Sequence, residues 1–175
     1  MRHLLAALLL VAAPAAAAAQ GHPQTREGFW IGFGFGYGSL GFECSGCSSD
    51  REGAFSGYLM MGGTLSPKLL LGGESSAWTK DDGGTMVTAG NVSAVLVFYP
   101  NANGGFFLRA GLGWASLDIE GLGSETGPGG TLGLGYDLRL SDKMSISPVV
   151  NFYGGALAND FKQNWMQVAV GLTWH

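Results

Sequence analysis

Residues 28–40 read GFWIGFGFGYGSL, and their alternation decides the fold. Phe29, Ile31, Phe33, Phe35 and Tyr37 share one parity, while Gly32, Gly34, Gly36 and Gly38 share the other. Successive side chains of a strand point to opposite faces, so this stretch is a ribbon with one aromatic face and one nearly bare face. A strand with one face in water would carry polar residues there; here that face carries glycine. The same period of two returns further on. Leu132, Leu134, Tyr136, Leu138 and Leu140 alternate with Gly133, Gly135, Asp137 and Arg139, and Met166–Trp174 repeats the pattern.

Composition points the same way. Only 13% of residues are charged and 31 of the 175 are glycine, against roughly 25% and 7% in ordinary soluble domains. Arg2 and His3, the apolar run Leu4–Val11 and the small-residue tract Ala15–Ala19 have the layout of a secretory signal peptide. Ala17 and Ala19 fit the A-x-A rule, so cleavage is expected after residue 19. That cut removes Arg2 and leaves 13 acidic against 8 basic residues, a net charge of −5. No Lys/Arg cluster remains, which argues against nucleic acid as a partner. No later segment is an uninterrupted apolar run of the about 20 residues that a spanning helix needs. A membrane protein built from such a chain must satisfy its backbone by closing a sheet.

Taken in order, Gln20–Glu27 is a polar lead-in. Eight strand-like segments follow: Gly28–Leu40, Phe55–Leu65, Leu69–Trp78, Met86–Tyr99, Phe106–Ala115, Leu132–Leu140, Met144–Phe152 and Asn164–His175. Short connections at Ser66–Lys68, Pro100–Gly105 and Ser141–Lys143 alternate with four expected long loops, Gly41–Gly53, Thr79–Thr85, Asp118–Gly130 and Gly154–Gln163. Pro148 cannot donate to a ladder, so a bulge or a broken hydrogen bond is expected there. The expected fold is all-β: an eight-stranded antiparallel up-and-down transmembrane β-barrel over residues 28–175, with short periplasmic turns and longer outer loops.

The export signal, the eight alternating segments, the loop alternation and the aromatic-ended last strand together resemble the small eight-stranded outer-membrane β-barrel family of Gram-negative bacteria. That porin-like group includes the OmpA membrane domain and OmpX. The resemblance implies an outer-membrane location, lipid and lipopolysaccharide as surroundings, assembly by the barrel-assembly machinery through the last strand, and a monomer. Family members usually end in Phe, whereas this chain ends Leu172-Thr173-Trp174-His175.

In lipid the apolar parity must face outward, because Lys or Arg there costs about 2–4 kcal/mol at mid-bilayer. The charged strand residues Glu74, Arg109, Asp137 and Arg139 all take the other parity, and an inward charge cluster of these four is expected. A loop centred near Leu122–Gly123 would pair Arg109 with Asp137. Tyr37, Trp114, Tyr136 and Trp174 are candidates for the aromatic girdles at the two interfaces.

Little else suggests chemistry. Cys44-Ser45-Gly46-Cys47 lies on an exported loop with no nearby His, so a small disulfide is the leading reading; redox or metal chemistry and two free thiols are the alternatives. The three histidines are His3, His22 and His175, none in a strand interior or a long loop. Acyl-lipid hydrolysis or transfer needs a His–Ser or similar pair near the outer rim. The Gly-x-Gly run has strand period and no following helix, so it is not a dinucleotide fingerprint. The expectation is a protein without cofactor, metal or catalytic residues. It would serve envelope integrity or surface interaction through its outer loops. A narrow porin-like channel is the first alternative, a lipid-modifying enzyme the second, and a soluble lipocalin-like barrel the structural rival.

Overall fold

The computed structural model describes residues 26–44, 47–48, 50–158 and 161–175; the expected signal peptide, residues 20–25 and the side chains of Cys44 and Cys47 lie outside the described residues. Eight long strands make up the fold: β1 (Phe29–Cys44), β2 (Glu52–Ser66), β3 (Leu69–Asp82), β4 (Thr85–Phe98), β5 (Phe106–Ile119), β6 (Gly123–Tyr136), β7 (Met144–Ala156) and β8 (Lys162–Trp174). Each pairs antiparallel with its neighbours in sequence, and β1 pairs with β8, so the sheet closes on itself. Closure leaves no edge, the condition for a sheet in a solvent that offers no hydrogen bonds.

The register fixes the shape. Following Cα partners once around the ring leads from Ile31 through Met61, Gly73, Ala94, Leu112, Gly130, Gly154 and Asn164 to Gly41, a stagger of ten residues. Such a stagger over eight strands goes with steep tilt, of the order of 35–45°, and an interior that side chains can just fill. One irregularity breaks the ladder of β2 and β3, between Thr64 and Ser66.

Parity sorts the residues as the alternation requires. Phe33, Phe35, Leu108, Leu112, Leu134, Val168 and Val170 stand exposed on the outside, while Glu74, Arg109, Asp137 and Arg139 are buried within. Inward glycines make room for rings. A Cβ on Gly34 would lie 2.5 Å from the Tyr58 ring and one on Gly38 2.6 Å from Trp78.

Two expected loops are strands instead. Thr79–Thr85 and Asp118–Gly130 lack apolar alternation, yet nearly all of both is paired backbone. The β3–β4 hairpin turns on Gly83 and Gly84 at φ +64° and +92°, the left-handed pair that a two-residue turn demands. The β5–β6 hairpin turns on Gly121 at φ +81°, with the Leu122 amide donating to the Ile119 carbonyl at 2.9 Å. Backbone pairing needs no oily side chains once a strand rises beyond the apolar band, so the hydrophobic signal stops before the strand does.

Pro148 keeps register with Val170 of β8 but interrupts the other side. Pairing between β6 and β7 stops at Gly135↔Val149 and resumes at Leu138↔Ile146, where Leu138–Arg139 forms a two-residue strand. In that gap the Ser147 hydroxyl donates to the Asp137 carboxylate at 2.6 Å. The chain thus replaces a lost ladder bond with a side-chain one.

Candidate functional site

The interior is filled along its length, from the end that carries Arg26 and His175 to the far end. At the base, the Arg26 guanidinium lies 3.4 Å from the Tyr99 ring centroid and donates to the carbonyls of Ala102 (3.0 Å) and Gly104 (2.8 Å). Asp137 accepts from the Tyr99 hydroxyl at 2.8 Å and lies 3.8 Å from both Arg26 and His175. Arg139 donates to the Asp142 carbonyl at 3.3 Å. Burial pushes the His175 imidazole below its ordinary value, against the opposing pull of Asp137. Arg26, the penultimate residue of the polar lead-in, is therefore docked in the barrel mouth, which nothing in its sequence setting announces.

At mid-height Glu74 of β3 meets Arg109 of β5, Oε2 to Nε at 3.1 Å, with both side chains sealed from solvent. The Arg109 guanidinium also sits 4.9 Å from the Tyr58 ring centroid, 2.9 Å from the Met60 sulfur, and donates to the Asn151 side-chain oxygen. From there Asn151 donates to Gln167 at 2.8 Å, and Gln167 donates to the Ser56 hydroxyl at 2.8 Å. Asn151, Gln167, Ser56 and Tyr58 share the inward parity, so alternation identifies them although the expected cluster named only charges.

The four expected cluster residues are all buried, but they form two groups. Glu74 and Arg109 pair at mid-height; Asp137 and Arg139 belong to the base with Arg26 and His175. The expected Arg109–Asp137 pairing is corrected, because Arg109 stands opposite Gly133. The β5–β6 hairpin is centred on Gly121 rather than Leu122–Gly123, and because a shift of the centre is doubled at the partner strand, the partner of Arg109 becomes Gly133 instead of Asp137.

Beyond the pair an apolar plug occupies the far half. Tyr153 stacks on Trp165 at 4.6 Å, the Trp78 indole donates to the Gly38 carbonyl at 3.0 Å, and Leu40, Ala115 and Leu157 close around them. A second apolar cluster, with Trp30, Leu70, Val97 and Phe107, lies toward the base.

On the outside, Tyr136 and Trp174 ring the base and Tyr37 and Trp114 ring the apolar band at its far edge, all more than 45% exposed. Phe29, Phe98 and Phe106 join the lower ring and Phe55 the upper. Cys44 stands opposite Cys47 in a short backbone pairing.

The far rim is acidic. Among the described residues it carries Glu43, Asp50, Glu52, Asp81, Asp82, Asp118, Glu120 and Glu125 against Arg51, Lys80 and Lys162. Lys80 is tied to Glu52 at 2.7 Å, a hydrogen bond that raises its pKa. Arg51 is held by Ser39 and by Asn164 at 2.7 Å.

Comparison with known proteins agrees with this geometry. The crystal structure of Ail, the attachment invasion locus protein of Yersinia pestis, superimposes with a TM-score of 0.55 at 16% identity, covering 85% of this chain and 99% of that one. Neisserial surface protein A gives a TM-score of 0.65 at 13% identity, covering 86% and 98%. The N-terminal β-barrel domain of Pseudomonas aeruginosa OprF gives 0.50 at 13% identity, covering 86% and 98%. These likenesses are in fold. No curated sequence matches the chain. The profile of the family described as outer membrane protein beta-barrel domain matches residues 4–174, nearly the whole length. The chain belongs to that family of outer-membrane β-barrels.

Proposed function

We propose that this protein is a closed, non-enzymatic outer-membrane barrel that serves envelope integrity and surface interaction through its acidic rim. The observation that carries the reading is the filled lumen. Arg26, Tyr99 and Asp137 stop the base, Glu74 and Arg109 bridge the middle, and Trp78, Tyr153 and Trp165 occupy the far half. In this reading the termini lie on the periplasmic side and the rim faces outward, as the family's short-turn and long-strand asymmetry suggests. Tyr37, Trp114, Tyr136 and Trp174 then mark the two interfaces with lipid and lipopolysaccharide. The chain is exported with residues 1–19 as a cleaved signal and folded as a monomer by the barrel-assembly machinery.

Among the described residues, no side chain supports chemistry on lipid acyl chains. His175 sits at the base, at the opposite end from the rim where such substrates arrive. The charge of the rim also bears on what it binds. Ail has been crystallised with the heparin analogue sucrose octasulfate; a rim with eight acids against three bases repels such a polyanion and draws cations.

Conductance of the purified full-length protein in planar bilayers tests the closed lumen. The expected result is electrical silence. Steady single-channel steps would favour the narrow channel, for which the polar file Ser56–Gln167–Asn151 is the supporting observation.

A further inference from the structure

On the lipid-facing side of the wall, two hollows of about 500 Å³ each lie across β5–β8 and share Leu112, Gly130 and Gly154, so they form one groove. Each hollow is within the roughly 300–1,000 Å³ usual for small-ligand pockets. The floor follows the ladder Leu112↔Gly130↔Gly154↔Asn164 and ends at Gly41 of β1. Leu132 and Phe152 form the bank toward the apolar band, Pro128 and Ala156 the bank toward the rim. All of these residues stand in paired strands, so the wall that shapes the groove is the ladder itself.

The groove changes character along its length. Because the strands tilt, a path along the ladder climbs toward the rim. It starts at Leu112, two residues short of Trp114 in the upper aromatic ring, and ends at Gly41, four residues beyond Tyr37 in the same ring. The low end is hydrocarbon, with Leu112, Leu132 and Phe152 around it. The high end is polar: Glu43, Lys162 and Asn164 line it. Beside them the Arg51 guanidinium donates to the Asn164 side-chain oxygen at 2.7 Å and lies over Gly41, where a Cβ would come 2.9 Å from its Nη1. The Ser39 hydroxyl, at 3.1 Å, and the Ser39 carbonyl fix the same guanidinium, which keeps N–H groups for a further acceptor. Glu43 is the one acid in the lining, and it accepts from the Asn164 amide at 3.5 Å. Two of the three described cations of the rim thus meet at the head of the groove, while Lys80 is tied to Glu52. The acidic rim repels a diffuse polyanion; a phosphate held in place by its own hydrocarbon chain meets this cationic corner alone.

From this gradient we infer that the groove is a binding site for an anionic lipid of the outer leaflet. One acyl chain lies on Gly130 and Gly154 between Leu132 and Pro128, and its phosphate group meets Lys162 and Arg51. The apolar end accepts any chain. The head supplies the preference, because guanidinium and ammonium groups make charge-assisted hydrogen bonds to phosphate. The choice of leaflet rests on the proposed orientation, with the rim outward; the groove itself does not.

The test is native mass spectrometry of the full-length protein, folded in octyl tetraoxyethylene micelles and titrated with single-chain probes. These are hexadecyl phosphate, the neutral hexadecanol and the cation hexadecyltrimethylammonium. The expected result is one retained hexadecyl phosphate, weaker retention of hexadecanol and none of the cation. Excess inorganic phosphate should not displace the bound probe. Gly154→Leu fills the floor where a Cβ has only the Gln163 carbonyl at 4.0 Å; it is expected to weaken both the phosphate and the alcohol about tenfold, the worth of about two methylenes kept out of the groove. Gly63→Leu adds the same side chain on the outer face of β2, where a Cβ meets nothing within 4 Å, and should change neither. Lys162→Gln, at an exposed position, is expected to weaken hexadecyl phosphate about threefold, the scale of one exposed charge pair, and to leave hexadecanol unchanged. Heat-modifiable migration on gels checks that each variant is folded. Hexadecyl phosphate retained no better than hexadecanol, retained equally by Gly154→Leu, or displaced by inorganic phosphate would overturn the site. Micelles have no leaflets and the lumen plays no part in the readout, so failure of the groove is told apart from failure of the orientation or of the closed barrel.

Discussion

The Glu74–Arg109 pair makes the sharpest prediction about what holds the barrel together. Both side chains are fully sealed from solvent and 3.1 Å apart, so the exposed-pair range of about 0–1 kcal/mol does not apply. Truncating Arg109→Ala leaves the Glu74 carboxylate buried without a cation, which costs about 3–5 kcal/mol. It also removes the bond to Asn151, the anchor of the Asn151–Gln167–Ser56 file. Replacing both charges, as Glu74→Gln with Arg109→Met, removes the orphaned carboxylate along with the cation. The expected penalty of the double variant is about 1–2 kcal/mol, smaller than that of either single change. The measurement is urea unfolding of the protein refolded into lipid vesicles, followed by tryptophan fluorescence and by gel migration of the closed barrel. A double variant that loses the sum of the two single penalties would show that the groups do not act on each other, and would refute the mid-barrel bridge.

Three further outcomes follow from the same packing. Gly34→Ala is expected to cost about 1–3 kcal/mol, because its new methyl would lie 2.5 Å from the Tyr58 ring; Gly63→Ala, where a Cβ meets nothing within 4 Å, is the control and should be neutral or slightly stabilising in the same urea assay. Arg26→Ala should cost about 2–3 kcal/mol, since it deletes two hydrogen bonds from a buried guanidinium and its contact with Tyr99, and limited proteolysis should then cut the lead-in sooner. His175 titrates below its ordinary value in the folded state, because burial disfavours its charged form. The unfolded chain therefore binds the extra proton first, so stability is full above about pH 6.5 and declines as pH falls below it; His175→Gln should flatten that slope below about pH 6.5, and an unchanged slope would remove His175 as its source.

The barrel was legible in the sequence because lipid imposes a strict period. Phe33, Phe35, Leu134 and Val168 had no option but to face outward, and their parity fixed that of Glu74, Arg109 and Asp137 at once. Strand length was less legible. Above the apolar band, residues such as Thr126 and Ser116 feel water on the outer face, so extended backbone there carries no hydrophobic signature. Expecting loops at Thr79–Thr85 and Asp118–Gly130 followed from that silence, and the misplaced hairpin centre then displaced the partner of Arg109. The role of Arg26 was hidden for another reason. A single arginine in a polar segment has no periodicity, and its docking depends on Tyr99, Ala102, Gly104 and Asp137, which only the closed ring brings together.

Tyr58 gives the seam between first and last strands a key. Its ring lies over Gly34 of β1 and Gly171 of β8, which face each other across the junction. Sliding β8 by two residues in either direction would set Ala169 or Thr173 where the glycine belongs, and the phenol would strike a side chain. The chain's two ends can therefore zip together in one alignment, and the tyrosine carried by β2 acts as the gauge that rejects the others.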